Sequence, residues 1–258
     1  MKKKHFFLML CYLLLTWTAN AFGPIAHRAI ALIAYEELSP KARKNLDSLL
    51  GKQGIVYVST WADEIRSEPD KYAYSYPWHY QNLASNLNSD DLAKLWNNPR
   101  SEGDHLFYAI QEMMVRLNKD RNDVEALKFL IHFTADLHQP MHLGRKEDLG
   151  GNQVAYSWFG EKTNIHTLWD THLIENKKMS YTELAGYLTS KLSNQRDIFY
   201  QMSIPQVLSK SYSITNRIYD YSRTDTNNYR YVYHFNDDLD AMMYCAGVQL
   251  AKMLEEIY

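Results

Sequence analysis

The eleven residues from His132 to His142, HFTADLHQPMH, restrict the fold of this chain more than any other stretch. They set three histidines and an aspartate into an otherwise apolar segment. The pattern predicts a helix over 122–139: Asn122 offers an N-cap, Glu125 stands in the capping-box position, and Pro140 stops the helix. Residues three and four apart lie above one another on a helix, so Phe129, His132, Phe133 and Asp136 share one face. Flanking aromatics make that face an interior one. An ionised carboxylate there is costly unless it is paired or bound to a metal. Taken alone, the pair fits either a His–Asp hydrogen bond in the core or a metal site. His142 follows the break at Pro140, where the chain can fold its imidazole back.

The same residue types recur. His166 and Asp170, in HTLWD, repeat the one-turn spacing on another predicted helix, and two ligands at i and i+4 can grip one ion. Asp63, in WADE, stands at a predicted helix start, and His79 lies between Trp78 and Tyr80. Imidazoles and carboxylates together suit zinc better than copper or iron–sulfur chemistry. His138 is two residues from Asp136 and points to another face, which makes it structural. His105, His172 and His234 read as surface or supporting residues.

The N-terminus reads as an export signal. Lys2, Lys3 and Lys4 precede an apolar run from Phe6 to Trp17, too short to span a bilayer, and Ala19-Asn20-Ala21 fits the small-x-small cleavage rule. Residues 1–21 are therefore expected to be removed, leaving a soluble chain over 22–258 in a secreted or periplasmic compartment. Loss of three lysines takes the formal net charge from −2 to −5. A nucleic-acid binder working by charge alone would be basic, so an anionic ligand must be attracted locally, and metal ions are the obvious local charge. Only Cys245 remains, which excludes an internal disulfide and a cysteine-based zinc site. The new terminus would be Phe22, whose free α-amine and carbonyl oxygen can close a five-membered chelate on a metal that His27 can also reach.

Periodicity predicts one compact all-α domain without repeats or linkers. Helices are expected over 25–37, 40–50, 60–66, 105–118, 122–139, 166–175, 180–193, 195–222 and 236–257. A polar loop with one short helix is expected over 82–104, and a loop with a Gly150-Gly151 turn and a short hairpin near 154–159.

In order, the motifs are an N-terminal aromatic-Gly-x-x-x-His, WADE, WHY, HFxxDxHQPxH, a GGN turn and HxxWD. This series resembles the zinc-dependent S-one/P-one nuclease family, secreted single-strand-specific nucleases and 3′-nucleotidases whose helical fold is shared with bacterial zinc phospholipase C. The resemblance implies three zinc ions. One would be held by Asp63, His79, His132 and Asp136, and a second by His142, His166 and Asp170. The third would be held by the Phe22 amine and carbonyl, His27 and the bridging Asp136. Family members usually begin with tryptophan. Phe22 keeps the backbone chelate but changes whatever the indole packs against. Fungal members also carry disulfides, which this chain lacks.

The resemblance further implies attack on phosphorus by a water activated by the ions, with cleavage of the P–O3′ bond. Asp63 would orient that water or act as its base. Arg66, one turn on, would clamp a phosphate oxygen. Tyr80 and Asn82 resemble the base pocket, one stacking on a nucleobase and the other reading its edge. Asn152, in the GGN turn, would hold phosphate or a metal-bound water. The expected substrates are single-stranded DNA and RNA and 3′-nucleotides, with no membrane partner after cleavage and no obligate protein partner. Two alternatives stand beside this. A zinc phospholipase C would carry glutamate where HxxWD has Asp170. A non-catalytic periplasmic zinc-binding protein would share the ligands but need neither Arg66 nor the Tyr80–Asn82 pair.

Overall fold

The computed structural model describes residues 22–224 and 227–258, so the predicted leader lies outside the described residues. The chain is all-α apart from one hairpin. Its helices run α1 Pro24–Glu37, α2 Pro40–Leu50, α3 Gly54–Val58, α4 Trp61–Glu64, α5 Pro69–Tyr72, α6 Ser89–Asn97, α7 Leu106–Lys119 and α8 Val124–Leu137. The hairpin β1 Ala155–Trp158 and β2 Glu161–Asn164 follows. Then come α9 Ile165–Thr167, α10 Leu173–Glu175, α11 Tyr181–Leu192, α12 Arg196–Gln201, α13 Ile204–Thr224 and α14 Asn228–Ile257. Among the described residues no helix is long and apolar enough to cross a membrane.

α8 is the central element. It is buried on every side from Phe129 to Leu137, as expected of a helix apolar all round. α7, α14, α4 and α3 pack around it, and α1 lies against α14, α11 and α3. Two apolar cores meet near α8. Phe129, Phe133, Trp78 and Phe107 belong to one, and Phe22, Trp169, Tyr231 and Phe235 to the other. The histidines and aspartates singled out by the sequence lie at the seam between them.

The start of α8 differs from the expectation of an Asn122 cap. Asp123 is the N-cap, its Oδ1 accepting the Ala126 amide at 2.9 Å. Asn122 is engaged in the preceding turn through Asp120. Arg116 grips the Asp123 carboxylate at 2.8 and 2.9 Å, and its Nη2 also reaches Glu125, which therefore makes no capping box. The helix expected over 195–222 is two, α12 and α13. Met202 is extended, Ser203 bonds to Gln206, and Pro205 stands in the first turn of α13, where its missing N–H costs nothing. α14 begins eight residues earlier than expected, at Asn228, because Asn227 caps it through the Arg230 amide at 3.0 Å. The hairpin gains a second strand whose residues, Glu161 to Asn164, are too polar to alternate. Phe159 and Gly160 turn it with φ of 46° and 93°.

Candidate metal centre

Three elements bring the first group together. α8 presents His132 and Asp136 one turn apart, with His132 Nε2 3.2 Å from Asp136 Oδ2. His132 Nδ1 donates to the Ser59 carbonyl at 2.7 Å, which turns Nε2 inward as the nitrogen available to a cation. The 3₁₀ turn Ala73–His79 delivers His79, whose Nδ1 lies 3.1 Å from both Asp136 Oδ2 and His132 Nε2. α4 brings Asp63, with Oδ1 3.8 Å from His79 and 3.9 Å from His132. The strand-like segment after His79 is tied to the one after His142 by Gln81 N→His142 O at 2.8 Å and Leu83 N→Gly144 O at 2.7 Å. Those bonds hold the first group against the second.

The second group is His142, His166 and Asp170. Asp170 Oδ1 lies 3.4 Å from His142 Nε2, and its Oδ2 lies 3.2 Å from His166 Nε2. His166 and Asp170 stand on a continuous helical stretch that widens to a π turn over Leu168–His172, a feature frequent at functional sites. The Gly150 carbonyl accepts from His166 Nδ1 at 2.7 Å and so aims Nε2 at Asp170. That turn needs glycine. Gly150 has φ of 68°, and a Cβ on Gly144 would stand 2.6 Å from the Gly150 Cα. Gln139 Nε2 donates to Asp170 Oδ1 at 2.6 Å. Sequence reasoning had not singled out Ser59, Gly150 or Gln139 for the site. Only Gln139 gave a signal, its place inside HFTADLHQPMH.

Asp136 joins these groups to a third. Its Oδ1 lies 3.4 Å from His27 Nε2 and 3.5 Å from His142 Nδ1. His27 stacks on His132 at 3.9 Å, so these two imidazoles, assigned to different ions by the resemblance, are neighbours around one carboxylate. The Phe22 ring is fully buried, edge-on to His27 at 6.3 Å and tilted against His142 at 6.4 Å. Gly23 N donates to the Asp170 carbonyl at 2.7 Å, which pins the start of α1 beside the second group. Side-chain ligand atoms fall within 4.8 Å of one another in three sets: His27–His132–Asp136, Asp63–His79–His132 and His142–His166–Asp170.

The electrostatics fit a cation. Burial lowers the pKa of His27 and of His79, keeping these imidazoles neutral as ligation requires. Burial also opposes charge on His132, yet Asp136 and Asp63 together raise it to about 9. Burial opposes ionisation of Asp136, but the surrounding imidazoles hold its carboxyl well below the usual range. Thus the carboxylates demand positive charge at the centre. Asp63 Oδ1, Asp136 Oδ1, His27 Nε2 and His142 Nδ1 are buried with no hydrogen-bond partner. Orphaned buried acceptors are rare, and four that converge in one place suit borderline or hard divalent metal ions, zinc among them. His138 is separate: its Nδ1 donates to Thr134 O at 2.8 Å, and burial lowers it to about 4.

The rim carries the expected substrate residues. Arg66 Nη1 lies 3.9 Å from Asp63 Oδ1, and its guanidinium faces the Tyr76 ring at 5.7 Å. Half-buried Tyr80 tilts against His105 at 6.0 Å. Asn82 Oδ1 is buried against Gly150 without a hydrogen-bond partner. Asn152 donates its amide to the Leu149 carbonyl at 2.9 Å, within its own turn.

Endonuclease 4 of Arabidopsis thaliana is 30% identical over 176 residues, covering 63% of this chain and 58% of that protein. Nuclease S1 of Aspergillus oryzae is 29% identical over 167 residues, covering 62% and 57%. Nuclease P1 of Penicillium citrinum is 28% identical over 160 residues, covering 59% and 58%. Each match therefore spans less than two thirds of the relative's length. The model of the S1/P1 nuclease family matches residues 22–258, from the buried Phe22 to the last residue of the chain, and the protein belongs to that family.

Proposed function

We propose that this protein is a zinc-dependent hydrolase that cleaves single-stranded DNA and RNA to 5′-nucleotides and removes the 3′-phosphate from nucleotides. The observation that carries the reading is the Asp136 carboxylate, shared among four imidazoles, beside an arginine 3.9 Å from the half-buried Asp63. Three zinc ions would be held by Asp63, His79, His132 and Asp136; by His142, His166 and Asp170; and by Phe22, His27 and Asp136. Bound zinc supplies Lewis acidity, lowering the pKa of water and neutralising phosphoryl oxygens.

The chain's own groups do the rest. Asp63 is 22% exposed, against 0–5% for its neighbours His79, His132 and Asp136, so water and substrate meet it first. Its Oδ1 orients the attacking water and accepts a proton as the oxygen bonds to phosphorus. The P–O3′ bond breaks, and the 3′-oxygen leaves as a hydroxyl after taking a proton from solvent water, to which Asp63 returns its own. Arg66 donates to a non-bridging phosphoryl oxygen whose charge grows in the transition state. Tyr80 stacks on a base and Asn82 reads its edge. Asn152 has its carbonyl oxygen left to offer, its amide being committed to Leu149. Removal of residues 1–21 would free the Phe22 amine and deliver the enzyme outside the cytoplasm. The family match beginning at Phe22 and the burial of that residue in the site support this.

The test compares protein starting at Phe22 with the same protein carrying one extra N-terminal Met. Zinc content and rates on single-stranded DNA, duplex DNA, RNA and 3′-AMP are measured for both. About three zinc ions and single-strand cleavage, both reduced by the extension, are expected. Hydrolysis of phosphatidylcholine without nucleotide activity would make it a phospholipase. Bound zinc with no hydrolysis would make it a zinc-binding protein.

A further inference from the structure

A second feature stands apart from the metal centre. α1 and α2 enclose an open groove of about 580 Å³, walled by Tyr35, Arg43, Lys44, Asp47 and Lys52. Its one carboxylate is already satisfied: Asp47 Oδ2 accepts from the Tyr35 hydroxyl and Oδ1 from the Gln53 amide, each at 3.0 Å. Its three cations are not balanced in the same way. Lys44 and Lys52 are exposed, and among the described residues neither has an ion-pair partner. Arg43 lies over the Tyr35 ring at 5.3 Å; its Nη2 donates to the Glu36 carbonyl, and its Nε is buried without a partner. Three cations against one carboxylate, beside an aromatic ring, stand out in a chain with more acidic than basic residues.

The groove's position relates it to the metal centre. Lys52 sits on the turn between α2 and α3, and α3 packs against α1, α2 and α8. Just beyond α3 come Ser59, whose carbonyl accepts from His132, and then Asp63. Between Lys52 and Asp63 along the chain, α3 exposes Tyr57, 62% accessible and one of the largest bare apolar surfaces on the molecule. Along α1, His27 at the centre and Tyr35 at the groove are eight residues apart, about 12 Å at 1.5 Å per residue. A few stacked nucleotides at about 3.4 Å each cover that distance, whereas a mononucleotide does not.

We propose that the groove of Arg43, Lys44 and Lys52 binds the backbone phosphates of a single-stranded polynucleotide a few nucleotides away from the bond being cut. Tyr57, exposed on α3 and between Lys52 and Asp63 along the chain, offers a stacking surface. Alternating cations and aromatic faces are how sequence-tolerant single-strand binding is built. The assignment rests on the nuclease reading and adds a length dependence to it: long strands gain affinity from a surface that short substrates never touch.

The test uses the zinc-loaded enzyme with Lys44→Gln/Lys52→Gln, both exposed, and separately Tyr57→Ala. Kinetics are measured on a 20-nucleotide strand, a dinucleotide and 3′-AMP. For the double variant, KM for the 20-mer should rise about fivefold with kcat unchanged, while the dinucleotide and 3′-AMP are unaffected. Two phosphate contacts fewer should flatten the salt dependence of 20-mer affinity by about 1.4 in log–log slope. Equal effects on long and short substrates, or none, overturn the proposal. Should the unaltered enzyme cut nothing, the nuclease reading fails, and the groove is judged by fluorescence anisotropy of a labelled 20-mer on Asp63→Asn protein. Salt-sensitive binding lost with Lys44 and Lys52 supports the groove. Unchanged binding, or loss of adhesion to anionic lipid vesicles in its place, overturns it.

Discussion

Each oxygen of Asp136 faces different imidazoles, Oδ2 toward His79 and His132 and Oδ1 toward His27 and His142. No other side chain in the centre links all three groups. Asp136→Asn keeps the shape and removes the charge, so zinc content by elemental analysis and cleavage rate should fall together. Arg66 separates binding from catalysis. It is a quarter exposed and contacts Asp63 rather than the imidazoles. Arg66→Ala should lower kcat on the order of 10²- to 10³-fold with zinc content unchanged; a loss of zinc would sink its assignment as a phosphate clamp. At this scale the sequence was informative. His27, Asp63, His79, His132, Asp136, His142, His166 and Asp170 were all singled out from residue type and spacing, and all converge. Ser59 and Gly150 were not visible, because each acts through a backbone carbonyl that any residue possesses.

α8 depends on its first turn. Asp123 caps it and is itself held by Arg116 from α7, so the helix that carries His132 and Asp136 is anchored to its neighbour at the far end from the site. Partial burial opposes ionisation of Asp123, but Arg116 and the helix amides lower its pKa below the usual value. A depressed folded-state value means the contribution is full above the unfolded value of about 3.9 and is lost as pH falls through the folded one. Asp123→Ala should therefore cost about 1 kcal/mol at pH 7 and progressively less below pH 4, read from urea unfolding at both pH values. Elements were legible where caps and apolar spacing agreed, as for α2, with Ser39 before it and Gly51 after it. They were not legible where pairing decides. β2 is a strand because β1 lies beside it, in the register Ala155↔Asn164 to Trp158↔Glu161.

Across the whole molecule, α14 ties the C-terminal half to the centre. It packs along α1, α8, α11 and α12, and its fully buried Asp240 receives Lys177 at 2.7 Å, Lys191 at 2.9 Å and the Tyr187 hydroxyl at 3.0 Å. Such a cluster is retained at a desolvation cost, but breaking it leaves Lys177, which is only 8% exposed, with the neutral Asn236 Oδ1 and no counter-charge. Asp240→Ala should destabilise the fold by about 3–5 kcal/mol, measured by chemical denaturation. Asp240→Asn should recover part of that by keeping hydrogen-bond acceptors for the two lysines. Neither change touches a residue proposed to hold zinc, so each folded variant should bind as much zinc as the unaltered protein.

The sequence by itself determined the chemistry. Buried-face histidines and aspartates at one-turn spacing, without a cysteine partner, specify nitrogen and oxygen ligands, and the helical periods around them specify an all-α chain. Only the tertiary structure decided which of these side chains stand together, because that depends on distances between segments more than a hundred residues apart. It brought His27 onto the face of His132, placed Asp136 among four imidazoles, and turned Gly150 to aim His166. The physical reason is that spacing along one helix sets which side chains share a face. Where faces from different helices meet is set by the packing of two apolar cores around α8.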